Sequence, residues 1–436
     1  MKYKILFASL LSLPMWGQQK LWSLADCINY AVNNNITVKK TQLGQQTAAI
    51  NLDQAKSNRL PAVSGNISAN ANNGSVINQI TNNRVNQTTI TNSMGVSASM
   101  PLYEGNKLNL QIERATLALE QNDLYVKEAQ NNITLSVLEA YLQALYQYEN
   151  ITVAKNTALS SEEQLTQAQQ KYENGAIAKI DLIEIETQHA NNQYNVVLAK
   201  NQYENQVLTL KQLLELPPGT EFGIEIIRKE DVSAPIANKE EVYRQALEQL
   251  PTTKIYDKQK ELAQKDIQIA KAGFRPSLSL SGGINTGYSD RDTEKYMTQL
   301  KNNFGQTIGL SLNIPIFSRY QNKNNVALAR LSESQAELDR KQAEKDLYTK
   351  IETAWHNATT RQAQEVASKK ARDNAKLAYE LAEKKHEFGN LTNTELLVSR
   401  NTYLNAEQTY LQNKYMVLLY QQLLNFYQGK EIAIND

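Results

Sequence analysis

KYENGAIAKIDLIEIE, Lys171 to Glu186, returns 214 residues later as KHEFGNLTNTELLVSR, Lys385 to Arg400. Gly175 answers Gly389, Asp181 answers Glu395 and Leu182 answers Leu396. Each copy sits in a long polar run free of proline, Leu102 to Leu216 and Ile316 onward, which a glycine interrupts at this signal. Proline breaks helices and glycine turns them, so each run reads as a very long helix, a tight reversal and a second helix running back. From Gly105 to Asn174 is 70 residues. A straight helix of that length extends roughly 100 Å, which calls for a coiled-coil partner or a bundle.

The remainder repeats around these hairpins. Ser23 to Asn33 and Ile36 to Ser57 read as helices broken at Asn34 and Asn35. From Pro61 the period changes to two: Val63, Gly65, Ile67, Ala69 and Ala71 alternate with Ser64, Asn66, Ser68 and Asn70, a strand with one dry and one wet face. Asn72 to Thr91 reads as an exposed polar loop, and a return strand sets Met94, Val96, Ala98 and Met100 opposite serines and Gly95. In the second copy Asn238 to Ala272 is helical with a break at Pro251. Leu278, Leu280, Gly282 and Ile284 form one dry face, Ser289 to Asn303 reads as a polar loop, and Ile308, Leu310, Leu312 and Ile314 form the other dry face. Ile133, Val137, Tyr141 and Ala144 match Leu347, Ile351, Trp355 and Ala358 at the same offset of 214, with a slip of a few residues expected near the carboxyl end.

The expected organisation is a signal peptide over 1–17, a first repeat over 18–215 with its β-hairpin at 61–102 and tip at 175, and a connector over 216–238. A second repeat over 239–430 has its hairpin at 276–317 and tip at 389, and 431–436 is a tail. The signal rests on Lys2 and Lys4 before the apolar run Ile5 to Trp16, so the mature chain is exported. The connector, which holds three of the nine prolines, has room for one small strand around Ile224.

Formal net charge is +1 with both signs mixed, which leaves no footprint for nucleic acid. A single cysteine, Cys27, excludes an internal disulfide and a thiolate cluster, and its apolar helical position reads as a small buried hydrophobe. His189, His356 and His386 are scattered, and no zinc-protease, nucleophile-elbow or phosphate-loop motif is present. Neither an enzyme nor a cofactor or metal is expected.

Four alternating strands of membrane-crossing length cannot close a barrel, and an open edge in lipid is prohibitive, so several chains must contribute; three chains of four strands give twelve. Tyr103, Phe274, Phe317 and Tyr320 at the helix-proximal strand ends suit an interfacial girdle. Asp181 and Glu184, three apart, share a helix face, and Glu395 takes the place of Asp181 in the second copy. Threefold symmetry turns each into a ring of the kind that favours cations. Gly175 with Ala176 and Ile177, and Gly389 with Leu391, offer short apolar tips for a partner to grip. Tyr172 and His386, each three residues before its glycine, flank the tips in packing or hydrogen-bonding roles.

LSLADCINYAVNNN near the start resembles the TolC-like outer membrane efflux proteins, as do the strand-closing MPLYEGNK and IPIFSRYQN and the two tip signals. The resemblance covers essentially the mature chain. It implies a mainly helical fold with a membrane β-barrel, a trimeric 12-helix tunnel under a 12-strand barrel, located in the outer membrane with a periplasmic tunnel. It further implies a passive exit duct for efflux or type I secretion, with outer membrane lipid, a periplasmic adaptor and an inner membrane transporter as partners. Acids at Asp181 and Glu395 then line the periplasmic entrance. The chain departs from the family with Glu395 for an aspartate, Val398 where an acid is often found and Leu391 where a gating arginine can sit. The competing reading is an exported coiled-coil stalk or adhesin with a small β head.

Overall fold

A computed structural model describes residues 21–77, 82–227 and 235–432. The signal segment, part of the connector and most of the tail lie outside the described residues. β1 (Leu21–Trp22) leads into α1 (Leu24–Asn34), whose first turn is closed by a capping box: Asp26 N donates to Ser23 Oγ at 3.1 Å while Ser23 N donates to Asp26 Oδ2 at 3.3 Å. Asn35 ends that helix, its N–H reaching Ala31 O, and starts α2 (Ile36–Ser57) by accepting from Thr37 N at 2.9 Å. β2 (Ala62–Ile77) and β3 (Arg84–Glu104) form a hairpin, followed by α3 (Lys107–Glu173) and α4 (Lys179–Leu213). β4 (Gly223–Ile224) pairs parallel with β1, so the connector does hold one short strand. Then come α5 (Lys239–Gln249), α6 (Pro251–Ala272), β5 (Ser277–Ser289), α7 (Tyr296–Asn302), β6 (Gly305–Asn313), α8 (Gln321–Glu387) and α9 (Asn393–Tyr427).

The duplication is written in the element bounds. α3 and α8 each have 67 residues, α4 and α9 each have 35, and every bound of the second pair is displaced by 214 from the first (321 − 107, 387 − 173, 393 − 179, 427 − 213). The slip expected near the carboxyl end is absent through Tyr427, because the helices tolerate no insertion without rotating their buried faces.

The described residues form two compact units, each drawing on both repeats: one comprises the chain up to Thr41, 127–250 and 344 onward, the other 42–126 and 251–343. In the first unit, Cys27, Ala31, Val38, Val137, Leu138, Tyr141, Leu210 and Leu214 make one apolar core, and Val242, Ala246, Ile351, Ala354 and Leu424 make a second. Burial pushes the Cys27 thiol up to about 12, with Asp26 adding to the shift, so it packs as a neutral hydrophobe. The repeat-related aromatics do the same work in both cores. Tyr141 Oη donates to Glu225 O at 2.8 Å, and Trp355 Nε1 donates to Ala237 O at 3.1 Å, each satisfying a carbonyl on the connector side. An unpaired buried polar group costs about 1–3 kcal/mol, which is why the polar atom of each ring reaches for one.

In the second unit four antiparallel strands lie in the order β2-β3-β5-β6. Their register brings most of the dry positions together, although Ile314 falls just past β6: Val63 faces Ala98, Gly65 faces Val96, Val96 faces Ile284, Met100 faces Leu280 and Leu280 faces Leu310. The other side is a field of serine, glycine, threonine and asparagine, with Ser64 and Ser97 hydroxyls 3.1 Å apart and those of Ser68 and Ser93 2.8 Å apart. The helical part of this unit is tied by ion pairs, Arg114–Asp266, Lys265–Glu113, Lys260–Glu337 and Arg340–Asp257, at 2.5 to 2.7 Å. Such pairs add about 0–1 kcal/mol each, so these helices are built for wet surroundings.

Two loops expected from the sequence contain ordered elements. In the asparagine-rich stretch Asn72 to Thr91, of which 78–81 lie outside the described residues, 72–77 and 84–91 continue the hairpin, with Asn72 opposite Thr89 and Ile77 opposite Arg84. Its alternation fades, but the backbone ladder needs no dry face, and Val85, Thr88, Thr89, Ile90 and Thr91 favour strand. Within Ser289 to Asn303 lies the short helix α7.

Candidate functional site: the helical hairpin tips

Both tips close by one backbone device. Ala176 N donates to Lys171 O at 2.8 Å and Gly175 N to Tyr172 O at 2.9 Å; Asn390 N donates to Lys385 O at 2.8 Å and Gly389 N to His386 O at 2.9 Å. This is the double closure of a helix end whose last residue is left-handed, with φ +70° at Gly175 and +76° at Gly389. No atom lies within 4 Å of the place where a Cβ would sit on either glycine, so it is the backbone angle and not crowding that requires glycine.

The acids after the tips occupy one structural place. Asp181 is the third residue of α4 and Oδ2 accepts from Ala178 N at 3.2 Å. Glu395 is the third residue of α9, and Oε2 accepts from Thr392 N at 2.9 Å and Thr392 Oγ1 at 2.8 Å, while Glu395 N donates to Thr392 Oγ1 at 3.2 Å. The backbone N–H of Thr392, followed by its hydroxyl, holds the Glu395 carboxyl below the usual carboxylate range. Sequence spacing missed this capping role, although T-N-T-E before an apolar run is its recognised signature.

A groove of ≈ 490 Å³ is lined from the first hairpin by Lys171, Ile177, Asp181 and Glu184, and from the second by His386, Gly389, Leu391 and Arg400. Asp181 and Glu184 therefore do share a face, as their spacing implies. Glu395 is exposed and outside the lining, as are Gly175, Ala176 and Tyr172. Ile177 and Leu391 are half-buried in the groove, whereas Phe388, 76% exposed, Val398, 62%, and Ile180, 61%, are fully presented. Phe388 is the neighbour of the turning glycine, a position the sequence alone could have nominated. His386 Nε2 donates to Asn393 Oδ1 at 2.6 Å, closing the second tip on itself.

One residue the sequence reading passed over ties the hairpins together. Arg400 is 4% exposed, and its Nη2 donates to Thr157 O at 2.6 Å, linking α9 to α3. Burial draws its pKa down, opposed by Tyr379 and Glu383. Tyr379 stacks on Tyr403 with centroids 6.0 Å apart and donates to Glu383, and burial, then that carboxylate, push its phenol up to about 12. The only hint in the sequence is the spacing of Arg400, four residues past Leu396 on the inward face. Ser161, also in the lining, has its Oγ 3.1 Å from His189 Nδ1, and the groove carries both signs of charge, Asp181 and Glu184 beside Lys171 and Arg400.

Comparison with known proteins follows the same outline. A family model described as Outer membrane efflux protein matches residues 27–215 and 242–429. Outer membrane protein TolC of Vibrio cholerae is 22% identical over 230 residues, 52% of this chain, and the chain spans about half the length of that curated relative. Among solved structures, CusC superposes with TM-score 0.78 at 17% identity, covering 94% of this chain and 92% of that one. The CmeC outer membrane channel of Campylobacter jejuni does so with TM-score 0.77 at 20% identity, covering 94% and 87%. With two matching segments that repeat the internal duplication and take in both tips, the chain belongs to the outer membrane efflux protein family.

Proposed function

We propose that this chain forms a homotrimeric outer membrane channel, a passive exit duct that receives cargo through a periplasmic adaptor from an inner membrane transporter in efflux or type I secretion. The observation that carries the reading is the sheet. Val63, Ile67, Ile308, Leu310 and Leu312 are 60 to 84% exposed on one face, and β2 and β6 are edge strands. An unpaired strand edge in hydrocarbon leaves each backbone group short by several kcal/mol, so an apolar sheet of this kind must find further copies and close. Three copies of four strands make a twelve-stranded barrel, whose polar field of serine and glycine then lines the water path. A coiled-coil stalk accounts for neither feature. The purified protein in detergent is expected to have the mass of three chains; a stable folded monomer overturns the closure argument.

At the glycine-turned tips of the long hairpins, the exposed Phe388 and Ile180 suit end-on gripping by an adaptor. Gly389→Leu forces a left-handed angle on a branched side chain, at about 1–2 kcal/mol, without a clash. The trimer is expected to survive while adaptor binding and cellular efflux fall, and Gly175→Leu is expected to behave alike. Normal efflux in both variants removes the tips from the docking surface.

A further inference from the structure

The β5–β6 connection is a built structure. Gln299, 1% exposed, uses its whole amide: Oε1 accepts from Ser289 N at 2.9 Å, and Nε2 donates to Asp292 O at 3.2 Å and Glu294 O at 2.9 Å. These bonds hold α7, which at seven residues is too short to stand alone. Two more draw the segment back along β5: Thr286 Oγ1 donates to Leu300 O at 2.6 Å and Asn303 Nδ2 to Gly287 O at 2.8 Å.

The side on which it folds back is decided by strand parity. Thr286 and Tyr288 continue the series Leu278, Leu280, Gly282, Ile284, so they stand on the apolar face of the sheet. Tyr296 of α7 packs on Tyr288 with ring centroids 5.0 Å apart. Phe304, just past α7, closes a hollow of ≈ 490 Å³ with Ile67, Met94 and Ile284 of the same face. The segment also sits where the apolar rows end, at the strand ends remote from α3 and α8. Its outer surface presents Met297, 73% exposed, between the exposed Lys295 and Lys301, an apolar side chain flanked by cations.

We propose that α7 and its flanks are a lipid-facing anchor, seated in the outer head-group layer of the membrane beside β5, and not a lid over the channel mouth. The inference rests on the apolar face of the sheet being the membrane face. Continuity with that face names the occupant: Tyr288, Tyr296, Phe304 and Met297 extend it into the zone where amphipathic aromatics and snorkelling lysines are stable.

Cys27 is fully buried, so a cysteine introduced elsewhere is the single site for a fluorescent maleimide. Met297→Cys, Leu310→Cys and Thr293→Cys are each labelled in the full-length trimer and reconstituted in phosphatidylcholine vesicles. The quenchers are a nitroxide high on the lipid acyl chain and aqueous iodide. The label at 297 is expected to lose most of its emission to the shallow nitroxide and little to iodide, with the reverse at 293. If 310 is quenched by lipid but 297 only by iodide, the anchor is wrong and the barrel face stands. If 310 itself answers only to iodide, the membrane-face reading fails and the anchor fails with it.

Discussion

Leu310→Lys is expected to abolish trimers from the outer membrane. Leu310 lies mid-strand in β6, opposite Leu280, and is 64% exposed on the apolar face. A lysine on the lipid face of a barrel strand costs about 2–4 kcal/mol near the bilayer midplane. Threefold repetition raises that to about 6–12 kcal/mol per trimer, comparable with the whole stability of an ordinary domain. The matching substitution Thr307→Lys, three residues earlier on the polar face opposite Gly283, places its charge in water and is expected to assemble. The measurement is the amount of heat-resistant trimer in outer membrane fractions on unheated gels. Wild-type levels of the Leu310 variant with loss of the Thr307 variant would invert the assignment of the two faces.

The apolar and polar faces of the sheet are legible in the sequence, because period-two alternation exists only where one face is dry and the other wet, and residues 61–71 and 277–284 satisfy that condition. Beyond Asn72 the alternation lapses, and the continuing ladder of β2 and β3 shows in side-chain chemistry only as β-branched residues such as Val85, Thr88 and Ile90. α7 was hidden for another reason: its stability comes from the tertiary bonds of Gln299 and not from local propensity. The long helices were legible by what they lack, proline and interior glycine, and the tips by the glycine each contains. Within the site, the spacing of Asp181 and Glu184 put them on one face, where both line the groove, while Asp181 and Glu395, expected as ring charges, accept the backbone bonds of helix caps. Arg400 escaped because a buried arginine looks like any other surface cation in a chain with 46 lysines and arginines.

The capping geometry sharpens the electrostatic experiment on the tips. In a trimer, Asp181 and Glu395 contribute up to six carboxylates, and a multivalent cation is expected to block current from the periplasmic side. Asp181→Asn with Glu395→Gln removes the charge while keeping an amide oxygen where each carboxylate accepted its backbone bond; glutamine at this position is a natural capping-box member, so the helix starts survive. The expected result in planar bilayers is reduced cation preference and a block weakened about tenfold, equivalent to ~1.4 kcal/mol. The pH dependence carries its own sign. Hydrogen bonds from Thr392 depress the folded-state pKa of Glu395 below 4.5, so its charge, and the cap it strengthens, are fully present above 4.5 and are lost only as pH falls through the lower folded value. Block in the native channel should therefore persist as the solution is acidified past 4.5, and the double variant should lack that tail. Unchanged selectivity and unchanged block in the variant would place the constriction elsewhere and leave Asp181 and Glu395 as caps alone.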